Sequence, residues 1–353
     1  MGRRAVKRSS DVLPEKDERG GERLPAQKER PAKLHSLEGE AGVLRELREG
    51  LARQPPELPC KYLYDDRGSA LFEQIMQLPE YFPTRTERAL LKERARDLAR
   101  GGLADVVELG SGAASKTIPV LEAALELGQR PRYLALDISA HALERTRQIL
   151  APLRGVNVEA VLADYTRPFL LPKKRRGAPR LVLFLGGTIG NEEDEGAIAL
   201  LSRVREQVDP GDRLLLGANL VTDPAAIHAA YNDAQGVTAA FNRNVLRAVN
   251  ALTRSKFDPD SFWHHAPYVV ERRRIEMWLV AKEQLEVDLG RMGGTLRLAR
   301  GSGIRTEISR RFTRDEVLRL IDAAGWTPEE WFESGDGRFG LALGVARGSR
   351  QGF

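Results

Sequence analysis

The stretch VVELGSGAASKT, Val106–Thr117, admits two readings, and the choice between them decides the fold. From Gly110 onward, Gly-Ser-Gly-Ala-Ala-Ser-Lys-Thr matches a phosphate-cradling P-loop at every fixed position but one, Ser115 replacing the second glycine. Read instead as an apolar strand (Val106, Val107) that ends in an acid (Glu108) and a glycine turn, it has the form of a first βα turn in a doubly wound fold that binds an adenosyl cofactor.

The surrounding pattern favours the second reading. DVVELG, RYLALD, VEAVLAD, LVLFLGG and DRLLLGANL read as strands, with TIPVLEAALELG and HALERTRQILAPL as helices between them. Such alternation predicts a parallel sheet covered on both faces. The rhythm breaks after the fifth strand. Residues 221–310 hold a helical, Asn-rich segment (DPAAIHAAYNDAQGVTAAFNRNVLRAVN) and then strands in RRRIEMWLVAKEQ and GTLRLARG. The helix TRDEVLRLIDAAG and a hairpin, WTPEEWFE and RFGLALGVAR around the turn SGDG, close the chain. The expected class is α/β: a Rossmann-like methyltransferase sheet, parallel strands plus a terminal antiparallel hairpin, with an inserted α+β substrate-binding domain. The expected division is a disordered basic tail (1–38), an N-terminal helical part of the substrate domain (39–100), a cofactor domain (101–220), the insertion (221–310) and completion of the cofactor domain (311–353).

Charge is unevenly spread. Residues 1–33 carry 10 Lys or Arg against 6 Asp or Glu, a net +4 of the +5 of the whole sequence, so the body is nearly neutral. The tail has too few apolar residues to offset the entropy of ordering. A second basic run, PKKRRGAPR at 172–180, lacks interleaved aromatic residues and reads as a solvated loop rather than a nucleic-acid patch. No apolar run reaches the roughly 18 to 20 residues of a membrane span, and the N-terminus lacks the apolar core of a secretory signal. The single cysteine, Cys60, suits a reducing cytoplasm and reads as a packed thiol outside the mechanism. A monomer acting on a small molecule, without nucleic-acid or membrane partners, is expected.

An adenosyl site needs an acid at the end of the second strand, about 20 residues beyond the glycines, to accept from ribose hydroxyls. Asp137 fills that place in RYLALD. Asp164, in LADY after the third strand, is placed for the adenine amino group, with Tyr165 to cover the base. A P-loop protein's metal-holding acid would explain Asp137 but not Asp164. Lys116, early in the first helix on this reading, meets the carboxylate of the cofactor's methionine moiety. The cofactor is therefore read as S-adenosylmethionine (SAM).

KYLYDDRGSALFEQIMQLPEYFPTRTE, VELGSGAASKT, FLGGTIGN, AAYNDAQGVTAAFNRNVL and IRTEIS together resemble the histidine-specific N-alpha-methyltransferase family, which makes hercynine on the path to ergothioneine. The blocks run in family order over residues 58–345. The resemblance implies SAM contacts from Gly110, Lys116, Asp137, Asp164 and Tyr165, and a histidine site of Tyr81, Gly186, Asn191, Tyr231, Glu307 and Ser309. It departs at one point: Arg311 precedes Phe312 where the family usually has Lys, which keeps charge but not geometry.

Alternate residues of an extended segment share a face, so Glu307 and Ser309 point one way and Ile308 the other. A carboxylate and a hydroxyl suit a ring with two nitrogens. Asn191 closes GGTIGN at the carboxyl end of the fourth strand, where ligands bind in such sheets. Tyr81 and Tyr231 would join it around the amino acid's carboxylate and amine, Met277 reads as an apolar wall, and Tyr64 would border the amine's proton path. His264 and His265 are adjacent and point to opposite faces, with no third ligand nearby, so no metal is expected. The alternatives are an N-methyltransferase of another amino acid, such as a tryptophan derivative, or a non-catalytic SAM-binding or nucleic-acid-binding module.

Overall fold

A computed structural model describes residues 32–33, 39–175, 177–221 and 223–348. The chain runs β1 (Ala32–Lys33), α1 (Gly39–Leu51), a 3-10 turn (Cys60–Tyr64), α2 (Asp66–Ile75), α3 (Pro83–Ala99), β2 (Asp105–Leu109), α4 (Ile118–Glu126), β3 (Arg132–Asp137), α5 (Ala140–Leu150) and β4 (Asn157–Leu162). Then come β5 (Arg180–Phe184), a second 3-10 turn (Thr188–Asn191), α6 (Asp194–Arg205) and β6 (Arg213–Asn219). A different group follows: α7 (Pro224–Tyr231), α8 (Val237–Thr253), β7 (Phe262–His265), β8 (Tyr268–Val269), β9 (Arg274–Ala281), β10 (Leu285–Asp288), β11 (Thr295–Leu298) and β12 (Gly303–Arg310). Last are α9 (Arg314–Ala323), β13 (Trp326–Glu333) and β14 (Phe339–Ala346).

The main sheet has the order β1-β4-β3-β2-β5-β6-β14-β13. Pairing is parallel from β1 to β6, and β14 runs antiparallel to both β6 and β13. The chain builds outward from β2 through β3 to β4, then crosses back and builds the other way through β5 and β6. A crevice therefore opens beyond the carboxyl ends of β2 and β5, the usual ligand place in such sheets. All five residues of β2 are buried: Val106 faces one core and Val107 the other, so this strand is apolar on both faces.

A third core lies beside the sheet. Leu47 of α1, Leu63, Phe241 and Val245 of α8, and Ile275 and Ile304 of the second sheet pack in it together. That second sheet has the order β12-β9-β7, with β8 also on β9. Helix α3, grouped by the sequence reading with the substrate part, instead packs Leu90, Leu91 and Leu98 beneath the main sheet with Val106 and Leu121. Its apolar positions are spaced to fill the face left open beside α4, a requirement set by the assembled sheet.

Four local readings change. The Asn-rich helical segment divides at Gly236, which takes a left-handed φ of +72°, while Asp233 accepts from the backbone N–H groups of Val237 and Thr238 to start α8. The strand in RRRIEMWLVAKEQ stops at Ala281. Residues beyond it form a separate hairpin, β10 with β11, which turns Val287 and Leu298 into the third core. Ala32–Lys33, read as tail, pair in parallel with Val161–Leu162 at the sheet edge; the rest of the tail reading lies outside the described residues. The basic run 172–180 is more tied down than a solvated loop: Lys174 meets Asp209 and Asp212 at 2.7 and 2.8 Å, and buried Arg180 meets Asp105 at 3.0 Å. Among the described residues no helix is long and apolar enough to cross a membrane.

Candidate active site

The turn after β2 is shaped by backbone geometry that its glycines allow. Gly110 and Gly112 take φ of +67° and +53°, and a Cβ on Gly110 would lie 3.3 Å from the Tyr165 ring. Gly112 N–H donates to Asp137 Oδ2 at 2.8 Å and Ser139 N–H to Oδ1 at 2.9 Å, fixing the acid at the end of β3. Burial raises the Asp137 pKa, and those two N–H groups act against the shift. Each carboxylate oxygen keeps a further lone pair for a hydroxyl. The Tyr165 ring stands edge-on to Phe184, 5.5 Å between centroids, across the crevice floor.

Other residues around the turn make contacts that the sequence does not show. Glu108 does not face the crevice: it is buried beneath the turn, accepting from Thr117 Oγ1 at 2.5 Å and from the Tyr133 hydroxyl, and burial pushes its pKa up to about 7. Lys116 is not in the first helix. It lies in the turn ahead of α4, and its Nζ is 2.8 Å from Oε2 of Glu87, a fully buried residue of α3. Glu87 also accepts the Gly186 N–H at 2.6 Å, so one carboxylate joins α3, the glycine turn and the loop after β5. Nothing in PTRTERALL distinguishes Glu87 from a solvated helix residue; only the packing of α3 makes it an interior anion. Asp164 is also already engaged: Lys61 Nζ lies 2.8 Å from its Oδ2, Arg167 Nε 3.3 Å away, and Thr166 donates from N and Oγ1 to Oδ1. Lys61, mostly buried, also meets Glu46 at 2.8 Å.

On the other side of the crevice the wall is aromatic. Tyr64 stands edge-on to Phe72 and to Phe241, each 5.4 Å between centroids, and Tyr81 faces Tyr231 at 6.3 Å. Burial drives the Tyr64 and Tyr81 phenols well above the ordinary range, so both are neutral at physiological pH. Strand β12 supplies the polar end. A register shift between Arg305 and Glu307 inserts Thr306, and beyond it Glu307 lies opposite Met277 and Ser309 opposite Ile275 on β9. Thr306 is held inward by Asn242 of α8 at 2.5 Å. Ser309 Oγ is 2.7 Å from the Tyr231 hydroxyl and accepts from Arg311 Nη1 at 2.9 Å. Glu307 is buried, and its carboxyl is pushed up to about 8 by burial, against the pull of Arg311.

Gly110, Lys116, Asp137, Asp164 and Tyr165 share one cavity with Tyr64, Tyr81, Gly186, Asn191, Tyr231, Met277, Glu307 and Ser309. Cys60 lines it as well, within hydrogen-bond reach of Asn191; burial raises its thiol and keeps it protonated, a poor nucleophile. His264 serves structure: Asn242 Nδ2 lies 2.9 Å from its Nδ1, and its Nε2 is 2.9 Å from the Tyr231 carbonyl oxygen. Among the described residues no group of three His, Cys, Asp or Glu side chains is arranged to hold a metal ion.

A parallel sheet with a reversed terminal hairpin, and a cavity joining the glycine turn to a polar, aromatic-walled chamber, define a cofactor-dependent α/β transferase. The family model described as "Histidine-specific methyltransferase, SAM-dependent" matches residues 43–346. The histidine N-alpha-methyltransferase of Mycolicibacterium smegmatis is 39% identical over 85% of this chain and 94% of its own length. That of Mycobacterium tuberculosis is also 39% identical, over 86% and 95%. Ergothioneine biosynthesis protein 1 of Neurospora crassa is 35% identical over 56% of this chain and 23% of its own. The chain belongs to the family of SAM-dependent, histidine-specific methyltransferases.

Proposed function

We propose that this protein transfers methyl groups from SAM to the α-amino group of L-histidine, in three rounds that give N,N,N-trimethylhistidine, hercynine, a step toward ergothioneine. The observation that carries the substrate reading is the pairing of Glu307 and Ser309 on one face of β12, at the end of a cavity that also contains the glycine turn. The single cysteine, which can form no intrachain disulfide, is compatible with work in a reducing cytoplasm, and we read the protein as a monomer.

SAM, when bound, supplies an activated methyl group that already carries its leaving group. The residues present fit it: the left-handed glycines open the turn, buried Asp137 would accept the ribose hydroxyls, Tyr165 would cover the base beside Asp164, and Lys116 would meet the carboxylate, all lining one cavity. The chain's main task is alignment, which supplies on the order of 7 to 11 kcal/mol of barrier reduction when a nucleophile is held at near-attack distance. Glu307 accepts one imidazole N–H and the Ser309 hydroxyl meets the other nitrogen. Asn191, Tyr81 and Tyr231 hold the amino acid's carboxylate and amine, with the Gly186 backbone beside them and Met277 as the apolar wall. Tyr64, neutral at physiological pH, borders the amine and is no base; the amine proton leaves to water before transfer. The rings of Tyr64, Phe72 and Phe241 offer π faces to the quaternary ammonium of the product. The helices preceding residue 83 and the segment 221–310 act together as the substrate part of the molecule.

The test is transfer of labelled methyl from SAM to a panel of free amino acids. Histidine is expected to dominate in wild type, and the Glu307→Ala, Ser309→Ala double variant to lose that preference by about 2 to 4 kcal/mol, about 1.5 to 3 kcal/mol for a bond to the Glu307 carboxylate and about 1 kcal/mol for the Ser309 hydroxyl. A histidine preference that survives the double substitution places the imidazole elsewhere.

A further inference from the structure

Arg311 continues the alternation of β12 one step past its end. Glu307, Ser309 and Arg311 stand at i, i+2 and i+4, and Arg311 N–H still bonds across to the Arg273 carbonyl at 2.8 Å, so the extended pairing persists there. The side chain is 3% exposed. Its Nη1 donates to Ser309 Oγ at 2.9 Å and to the Ser309 carbonyl at 3.1 Å, and its Cζ lies 5.6 Å from the centre of the Tyr231 ring. Nη2 is buried without a hydrogen-bond partner, and among the described residues no carboxylate forms an ion pair with the guanidinium. This is a buried cation that contacts two of the residues assigned to the substrate and is neutralised by neither.

We propose that Arg311 is a positioning and specificity-determining residue for histidine: it orients the Ser309 and Tyr231 hydroxyls and supplies a buried positive charge that favours the anionic, hydrogen-bond-accepting form of Glu307. The inference rests on the histidine reading above. Counting lone pairs shows the orienting effect. One acceptor site of Ser309 Oγ is taken by Arg311, and one O–H of the Ser309–Tyr231 pair is used between the two hydroxyls. One O–H remains to donate toward the cavity. That donor and the Glu307 carboxylate acceptor together match a neutral imidazole, with one nitrogen bare and one bearing hydrogen.

The charge effect follows from what surrounds Glu307. Cys60 and Tyr64 from the first 3-10 turn and Tyr81 from the loop before α3 face it, all held protonated and neutral by burial. Arg311 is the group that acts on its carboxyl as an opposite charge. A lysine at 311 would supply the charge as a point, on a shorter side chain that does not carry a nitrogen to the place of Nη1, which donates to both Ser309 oxygens. The two functions are therefore separable by substitution.

The experiment measures histidine affinity by calorimetry between pH 7 and 9.5, in the presence of S-adenosylhomocysteine, for wild type, Arg311→Met and Arg311→Lys. Ionisation of free histidine is common to all three and cancels in the ratio of variant to wild-type Kd. For Arg311→Met, the Glu307 carboxyl rises further above its wild-type value of about 8, so the anionic fraction falls relative to wild type until pH exceeds both values. Its Kd ratio is expected to be about tenfold or more near pH 7 and to fall as pH rises. For Arg311→Lys, the ratio is expected to stay flat with pH and to sit at about three- to tenfold, the loss of one oriented hydrogen bond. Affinity for S-adenosylhomocysteine alone should be unchanged in both, which reports an intact fold. A flat ratio near one for Arg311→Met overturns the charge role, and wild-type affinity in Arg311→Lys overturns the orienting role even if Arg311→Met fails to fold. Wild-type protein that binds S-adenosylhomocysteine but not histidine would instead defeat the substrate reading itself.

Discussion

Asp137 and Glu108 are both buried acids beside the glycine turn, and their surroundings give them opposite tasks. Asp137 receives two backbone N–H groups and lines the cavity; Glu108 receives two hydroxyls and lies beneath it. Replacing Asp137 with Ala removes a ribose acceptor and also frees the Gly112 and Ser139 N–H groups, so SAM binding should weaken by about 1 to 3 kcal/mol; calorimetry showing wild-type affinity would remove Asp137 from the cofactor site. Glu108 makes a pH-dependent prediction. Its folded pKa of about 7 lies above the ordinary 4.5, so between these values the folded state holds more protons than the unfolded one. Its contribution to stability is greatest below about pH 4.5 and declines as pH rises through 7, by on the order of 3 kcal/mol. Glu108→Gln cannot ionise, so its melting temperature relative to wild type should become more favourable from pH 5 to about pH 7 and level off above that. A constant difference over that range would show that Glu108 does not titrate there.

At the scale of elements, function depends on a bulge and a helix cap. Were Thr306 paired regularly instead of bulged, the residues after it would shift by one against β9, with Glu307 opposite Glu276 in place of Met277, and the polar pair would exchange faces with Ile308. Just past β12, α9 begins with a capping box: Thr313 N–H donates to Glu316 Oε2 at 2.8 Å, while the Thr313 hydroxyl accepts from the Glu316 N–H. Glu316 also pairs with Arg273 beside β9, so the cap fastens the second sheet to the returning chain. Thr313→Ala should cost about 1 kcal/mol, lowering the melting temperature by about 2 °C, and leave turnover on histidine unchanged. A large fall in kcat without loss of stability would mean that the cap transmits to the site.

For the whole molecule, the cavity draws its walls from residues between Cys60 and Ser309, contributed by all three cores. Removing residues 1–31, which carry much of the net positive charge, should therefore leave kcat/KM for histidine within about twofold. A loss greater than tenfold would assign the tail a part in the active site. The same geometry explains why the N-terminal helices and the segment after β6 depend on each other: Leu47 and Leu63 pack with Phe241 and Ile275 in a core that neither segment closes alone.

Local physics made much of this legible. The strands β2 to β6 follow from apolar runs bounded by turn residues, the glycine turn from its spacing, and the terminal hairpin from Ser-Gly-Asp-Gly between two alternating segments. Asp137, Asp164 and Asn191 could be placed because strand ends in a parallel sheet converge on one edge. The sequence also pointed to Glu307 and Ser309 as a pair, since period-two alternation needs no tertiary information. It could not place Glu87 against Lys116 and Gly186, 29 and 99 residues away, nor Lys61 against Asp164, 103 residues away. It could not bury Glu108 or set Arg311 over Tyr231. These contacts are long in sequence and electrostatic in kind. Period and propensity report which face a residue occupies, whereas the partner of a buried charge is chosen only when the elements pack and water is excluded.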